Sequence, residues 1–200
     1  MSSYRELSFF EFQERFSTEE ACFEYLKQRR WPDGFVCPRC GHDTAYFMKK
    51  RTVFQCANCR HQTSVTAGTM FHRTRTPLRK WFWAIYLVGT DKRGCSAKQL
   101  ERLIDVHYAT AWLMIHKIRK AMRDRDGLYR LDEDIEMDDS YFGAARPGKR
   151  GRGAANKSPV IVAVEYRGEE PGYAAMEVVE SLHADHLADF SERHFGSAPR

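Results

Sequence analysis

The sequence predicts a multi-module α+β chain: N-terminal helices and a four-cysteine zinc ribbon, then a helical helix-turn-helix region, then a partial α/β domain. Three observations predict it. Two Cys-x2-Cys pairs stand fifteen residues apart, apolar residues recur at helical spacing on both sides of them, and beyond Leu131 the period changes from helical to alternating. Two hundred residues with 42% hydrophobic content can bury a real core, and the length suits two to three small modules. The expected boundaries are 1–34, 35–72, 73–126 and 131–200. Thirty-two Lys+Arg against 27 Asp+Glu leave +5, an excess that attracts polyanions only where it is clustered, as it is in Arg73–Lys80 and Arg146–Lys157. No basic leader precedes a long apolar segment, and the run from Trp81 to Val88 is too short to span a bilayer. The expected setting is therefore the cytoplasm, with no membrane partner.

From Ser8 to Arg30, Phe9, Phe12 and Phe16 recur at helical spacing, and Ser17-Thr18-Glu19-Glu20 reads as a capping box opening a second helix through Phe23, Tyr25 and Leu26. An aromatic stripe at this spacing is core far more often than ligand site, so these rings are assigned to packing. Trp31-Pro32-Asp33-Gly34 then turns the chain.

Cys37, Cys40, Cys56 and Cys59 fit the spacing of a tetrahedral zinc site. Each pair forms a knuckle offering two thiolates on one side, and the residues between supply a hairpin, expected at Ala45–Met48 and Thr52–Gln55. Four thiolates leave no open coordination position, so this zinc would be structural. His42 and His61 flank the knuckles but are not needed as ligands. Cys22 and Cys95 read as small packed side chains.

His61–Thr69 reads as a last ribbon strand. Thr76-Pro77 reads as an N-cap with proline in the first turn, opening a helix through Leu78, Trp81, Phe82, Ile85 and Tyr86. Ser96-x-x-Gln99 opens another helix with Leu100, Leu103 and Ile104 on one face, and Asp105-Val106-His107 interrupts it before a longer helix, Tyr108–Arg123. This spacing suits a helix-turn-helix. His107, Tyr108 and Thr110 would then meet base edges, Lys117, Arg119 and Lys120 would lie near phosphates, and Trp112, Ile115 and Ile118 would face the core. An ordinary helical hairpin with solvated basic residues fits this stretch equally well.

Asp124–Leu131 is the expected connector. Beyond it Ile135, Met137 and Tyr141 alternate with Glu136, Asp138 and Ser140, so Asp138 and Asp139 point to opposite faces of a strand. Pro159–Tyr166 and Tyr173–Val179 read as two more strands joined by Arg167–Gly172, and Leu182–Phe195 as a helix. A lone strand aspartate is usually a solvated residue, but here Arg146, Lys149, Arg150, Arg152 and Lys157 follow it with no acidic residue among them. Such a loop could hold a DNA backbone beside a carboxylate that binds magnesium or manganese.

Several of these stretches together resemble one family. Pro-Arg-Cys-Gly in the ribbon is followed by SVTAGTMFHRTRTPLRKWFWAI, then SAKQLERLIDVHYATAWLMIHKIRKAM, then EMDDSYFG with GKRGRGAANKSPVIVAVE. In this order they resemble a bacterial insertion-sequence transposase of the zinc-ribbon group with an ISXO-like DDE domain. The resemblance implies a ribonuclease-H-like fold for the last module and Asp138, not Asp139, as the first catalytic aspartate, a ligand of magnesium or manganese. It implies duplex DNA as partner: the element's terminal repeats, bound by ribbon and helix-turn-helix, and the target. Ala144 replaces the family's second glycine. The family's second aspartate and third acidic or polar residue are not matched, and Asp185 and Asp189 read as the solvated face of the last helix. The expectation is therefore a truncated transposase, inactive alone. The alternative is a non-catalytic DNA-binding remnant that represses or pairs with an intact transposase; an unstable remnant with an uncovered sheet is the third reading.

Overall fold

The structure is a computed structural model describing residues 7–143, 157–168 and 170–196. The chain divides into two compact units, Met1–Lys120 and Ala121–Arg200.

The first unit begins with two helices, α1 (Phe9–Arg15) and α2 (Glu19–Arg30). Ser8 and Glu11 form a reciprocal capping box at α1 that the sequence reading does not include, with bonds of 3.3 and 2.9 Å between each backbone N–H and the other's side chain. At α2 the cap is one residue later than expected. Thr18, not Ser17, accepts from the Ala21 N–H at 3.1 Å, and with alanine at that position no reciprocal bond forms. Phe12 and Phe16 are buried, as expected, but Phe9 is half exposed, lying against Trp83 and Tyr86 at the margin of the core.

The ribbon is a three-stranded antiparallel sheet, β1 (Ala45–Met48), β2 (Val53–Cys56) and β3 (Gln62–Thr63), in that order. A 3-10 turn at Lys49–Arg51 joins β1 to β2, and Thr52 takes φ 52° there, so the second strand starts one residue later than the pattern suggests. β2 turns Phe54 and Cys56 inward, and Phe54 is enclosed by the rings of Trp31, Phe35 and Phe47 at 4.9 to 5.9 Å. The expected last strand keeps only two residues; Ser64 onward runs as turns and bends.

Three helices follow: α3 (Leu78–Thr90), α4 (Ala97–Ile104) and α5 (Tyr108–Asp126). Thr76 does not cap α3. The carboxylate of Glu19, at the start of α2, instead accepts from the Leu78 and Arg79 N–H groups at 2.7 and 3.0 Å. A negative charge there also meets the positive end of the helix dipole. The capping function thus comes from 59 residues away in sequence, where local reading has no access to it. Ser96 does cap α4, accepting from Gln99 at 3.1 Å. Leu78, Trp81, Phe82, Leu100, Ile104, Met114, Ile115 and Ile118 join Phe12, Phe16 and Phe71 in one core. One core assignment is corrected: Trp112 is about half exposed, and Leu103, expected on one face with Leu100 and Ile104, is half exposed too, because the buried stripes are carried by their neighbours at the adjoining helical positions.

The α4–α5 turn places Asp105 at φ 50°, a left-handed conformation that costs a non-glycine residue about 1–2 kcal/mol. Lys80 offsets this by donating its ammonium to the Asp105 carbonyl and lying 3.7 Å from its carboxylate.

In the second unit, β4 (Asp134–Phe142), β5 (Ser158–Arg167) and β6 (Glu170–Val178) form an antiparallel meander, followed by α6 (Ala184–His194). The expected connector is shortened at both ends: α5 continues to Asp126, and Leu131 is buried, paired with Phe195 in a parallel bridge. β5 and β6 also run closer together than expected, to Arg167 and from Glu170, with Gly168 at φ 68° between them. The core comprises Leu131, Ile161, Ala163, Val179 and Phe190, with Ile135, Ala175 and Leu187 packed against it, so α6 covers one face of the sheet.

Candidate metal centre and nucleic-acid surface

The two Cys-x2-Cys segments fold into matching knuckles. In the first, the Cys37 N–H donates to the His42 carbonyl and the Gly41 N–H to the Cys37 carbonyl, both at 2.9 Å. In the second, the Cys56 N–H donates to the His61 carbonyl at 2.9 Å and the Arg60 N–H to the Cys56 carbonyl at 3.1 Å. Gly41 and Arg60 close the two turns with φ of 74° and 56°. The equivalence brings the sulfurs to one point: Cys37–Cys59 and Cys40–Cys56 are each 3.6 Å apart, and all four lie within 4.8 Å of one another. A tetrahedral zinc with bonds of about 2.3 Å has sulfur–sulfur edges of about 3.8 Å, so the four thiols fit such an ion. His42 and His61 are not members of the cluster.

The crowding divides the thiols electrostatically. Desolvation raises Cys37, but the N–H groups of Arg39 and Cys40 and the thiols of Cys40 and Cys59 outweigh it and hold Cys37 down to about 6. Cys59 is drawn down by the His61 N–H, yet desolvation and the Cys40, Cys37 and Cys56 sulfurs push it up to about 12. Sulfurs this close cannot all become thiolates without a cation between them.

Asp138 sits in mid-β4, paired with Val162 of β5, which pairs in turn with Met176 of β6. Ile161 and Ala163 alternate with these positions and are buried in the core that includes Phe190 of α6. Asp138 therefore lies on the face away from α6, where Met176 and Val178 are each 66% exposed although Val160 is buried, and Asp139 lies on the other, as the alternation predicts. The Asp138 carboxylate accepts the Asp139 N–H at 2.8 Å. Among the described residues, the four cysteines are the one group of three or more His, Cys, Asp or Glu side chains placed to share an ion. Two carboxylates on the covered face are committed elsewhere. Glu165 accepts from the Asp132 N–H and from Arg167. Glu177 is bound by Arg193 and His194 at 3.0 Å each; burial raises its pKa, but these two partners outweigh burial and lower it.

The residues expected to meet DNA are scattered. Arg146, Lys149, Arg150 and Arg152 lie outside the described residues, and Lys157 is exposed just before β5. At the start of α5, Tyr108 is exposed and Thr110 half-buried, while the His107 ring turns back to accept the Ala109 N–H at 3.2 Å. Lys117 donates to the His72 carbonyl at 3.2 Å and lies over the Trp81 ring, whereas Lys120 is exposed. Sequence reading does not find Arg30, whose guanidinium donates to the carbonyls of Val65 and Ala67 at 3.2 and 2.5 Å and fixes the segment after β3. Among the described residues no helix is long and apolar enough to cross a membrane.

Residues 17–62 match the family of the transposase zinc-ribbon domain, and residues 130–197 match the family of the ISXO2-like transposase domain. The chain is 30% identical over 165 residues to an uncharacterized protein in transposable element ISH50 of Halobacterium salinarum, covering 74% of this chain. It spans about half of that relative's length, 55%. No solved structure matches.

Proposed function

The chain belongs to the insertion-sequence transposases that join a zinc ribbon to an ISXO2-like domain, and from this we propose that it binds duplex DNA at the ends of its element and does not cut DNA on its own. The ribbon, residues 35–72, and the helix-turn-helix region, residues 73–126, supply the binding. Residues 131–200 supply Asp138 as a ligand of magnesium or manganese in a ribonuclease-H-like site.

The observation that carries the second half of this reading is the isolation of Asp138. Phosphodiester chemistry with two divalent ions needs oxygen ligands converging from several elements. Asp138 is exposed, and no group of three potential ligands includes it among the described residues. The described residues therefore do not by themselves make a two-ion centre, although the cysteines do fit a structural zinc. A polypeptide of this kind would occupy the element's ends against an intact transposase, or pair with one and lend it DNA affinity.

The test of binding is a salt titration of the zinc-loaded protein with duplex carrying the element's ends, followed by fluorescence anisotropy. Affinity falling linearly on logarithmic axes, by about 0.9 per phosphate neutralised, is expected. Absence of affinity at low salt would remove the reading.

A further inference from the structure

We infer that the groove between the ribbon's hairpin and the Arg73–Thr76 segment is a seat for the phosphate backbone of duplex DNA, a surface distinct from the face of α5. This inference rests on the proposal that the chain binds DNA and says where.

The groove, about 800 Å³, has Arg51, Thr52 and Val53 on one side and His72 to Leu78 on the other. Arg51 ends the basic turn Lys49-Lys50-Arg51, and Arg73 and Arg75 alternate with two threonines across from it. All three arginines are exposed, and among the described residues none has a hydrogen-bond or ion-pair partner. The acidic residue in the lining is Glu19, whose carboxylate is consumed by the Leu78 and Arg79 N–H groups. The groove therefore presents uncompensated positive charge, which suits a polyanion.

Its walls are fixed before any ligand arrives. Trp81 Nε1 donates to Thr74 Oγ1 at 2.7 Å, and the Thr76 N–H donates to the same oxygen at 3.1 Å. With Thr74 held inward, Arg73 and Arg75 are left outward on either side of it. Lys117 holds the His72 carbonyl at 3.2 Å, and Arg30 holds Val65 and Ala67 of the adjoining wall. These two cations are thus spent on positioning backbone, and the exposed arginines are available for ligand. Pre-ordered walls reduce the entropy lost on binding. A duplex phosphate chain, with its regular line of charge, is the occupant that an open and rigid basic groove fits.

The test compares the full zinc-loaded chain with R51Q/R73Q/R75Q in salt titrations on one duplex of random sequence. Loss of three phosphate contacts lowers the slope of log affinity against log salt by about 2.7, and each single substitution lowers it by about 0.9. Zinc content and thermal unfolding of the variants establish that they fold; should the triple variant fail to, the singles carry the test. If the wild-type chain binds and the slopes of the variants equal its own, the groove is not the seat. If the wild-type chain has no affinity for duplex DNA, the proposed function fails first, and this inference with it.

Discussion

In residues 1–120 the backbone gathers ligand atoms: two matching knuckles carry four thiols to within 4.8 Å of each other. In residues 121–200 the backbone keeps them apart: strand alternation sends Asp138 and Asp139 to opposite faces, and Glu165 and Glu177 are tied to arginine, histidine and backbone partners. The same chain thus holds four converging thiols and, among the described residues, an exposed carboxylate at Asp138 that belongs to no such group. The contrast teaches that a metal site is a property of converging elements and not of acidic composition; the second unit is acidic enough, but nothing described converges on Asp138.

The largest expected effect lies in the first unit. Stripping the metal, or substituting Cys56→Ser, should unfold the ribbon, since structural zinc contributes about 10–16 kcal/mol of apparent binding energy near neutral pH. Amide signals from residues 37–63 would collapse while those of α3 persist. Metal binding should also weaken as pH falls, because the ion must displace protons from its thiols, and more steeply below about 6, where Cys37 becomes protonated. Stability of the ribbon that is indifferent to chelator would break the comparison at its first term.

In the second unit the corresponding weak point is apolar. Phe190 is fully buried between sheet and helix, and Phe190→Ala should cost about 3–5 kcal/mol. Faster hydrogen exchange in β5, without change in α3, is the expected readout; a change below about 1 kcal/mol would show that α6 is not what secures the sheet.

A smaller effect is expected at Glu19, where removal of the carboxylate by Glu19→Ala leaves the first N–H groups of α3 unsatisfied and should cost about 0.5–2 kcal/mol in denaturant unfolding. Smaller still is the pH response of the second unit. Because Glu177 titrates below its ordinary value in the folded chain, its contribution is present above the unfolded carboxyl range and is lost as pH falls through the lowered value. Glu177→Gln should flatten the acid limb of the unfolding curve, and an unaltered limb would show that the His194 and Arg193 contacts contribute nothing there.

Which parts of this are legible in sequence follows from range. The cysteine site is legible because each knuckle is built within a few residues and the spacing alone constrains it. The opposite facing of Asp138 and Asp139 follows from the period of a strand. Helix α5 is legible too, but its pattern stops three residues short of the observed end, since the charged residues there read as a connector. By contrast, Glu19 capping α3, Arg30 fixing the segment after β3, and Trp81 holding Thr74 are contacts between distant residues, and no local pattern announces them. The exposure of Leu103 and Trp112 is hidden for another reason: an apolar stripe wider than its buried part shows the same periodicity either way. The basic run Arg73–Lys80 is visible as charge, but that Arg73 and Arg75 point outward while Thr74 is held inward is a matter of tertiary bonds.

The most direct test is incubation of the purified, zinc-loaded chain with magnesium or manganese and duplex carrying the element's ends, resolving binding and strand products in the same sample. The account expects a bound complex with no nicked or joined DNA, and the same complex from Asp138→Ala. Cleavage or strand transfer that disappears in Asp138→Ala would contradict it.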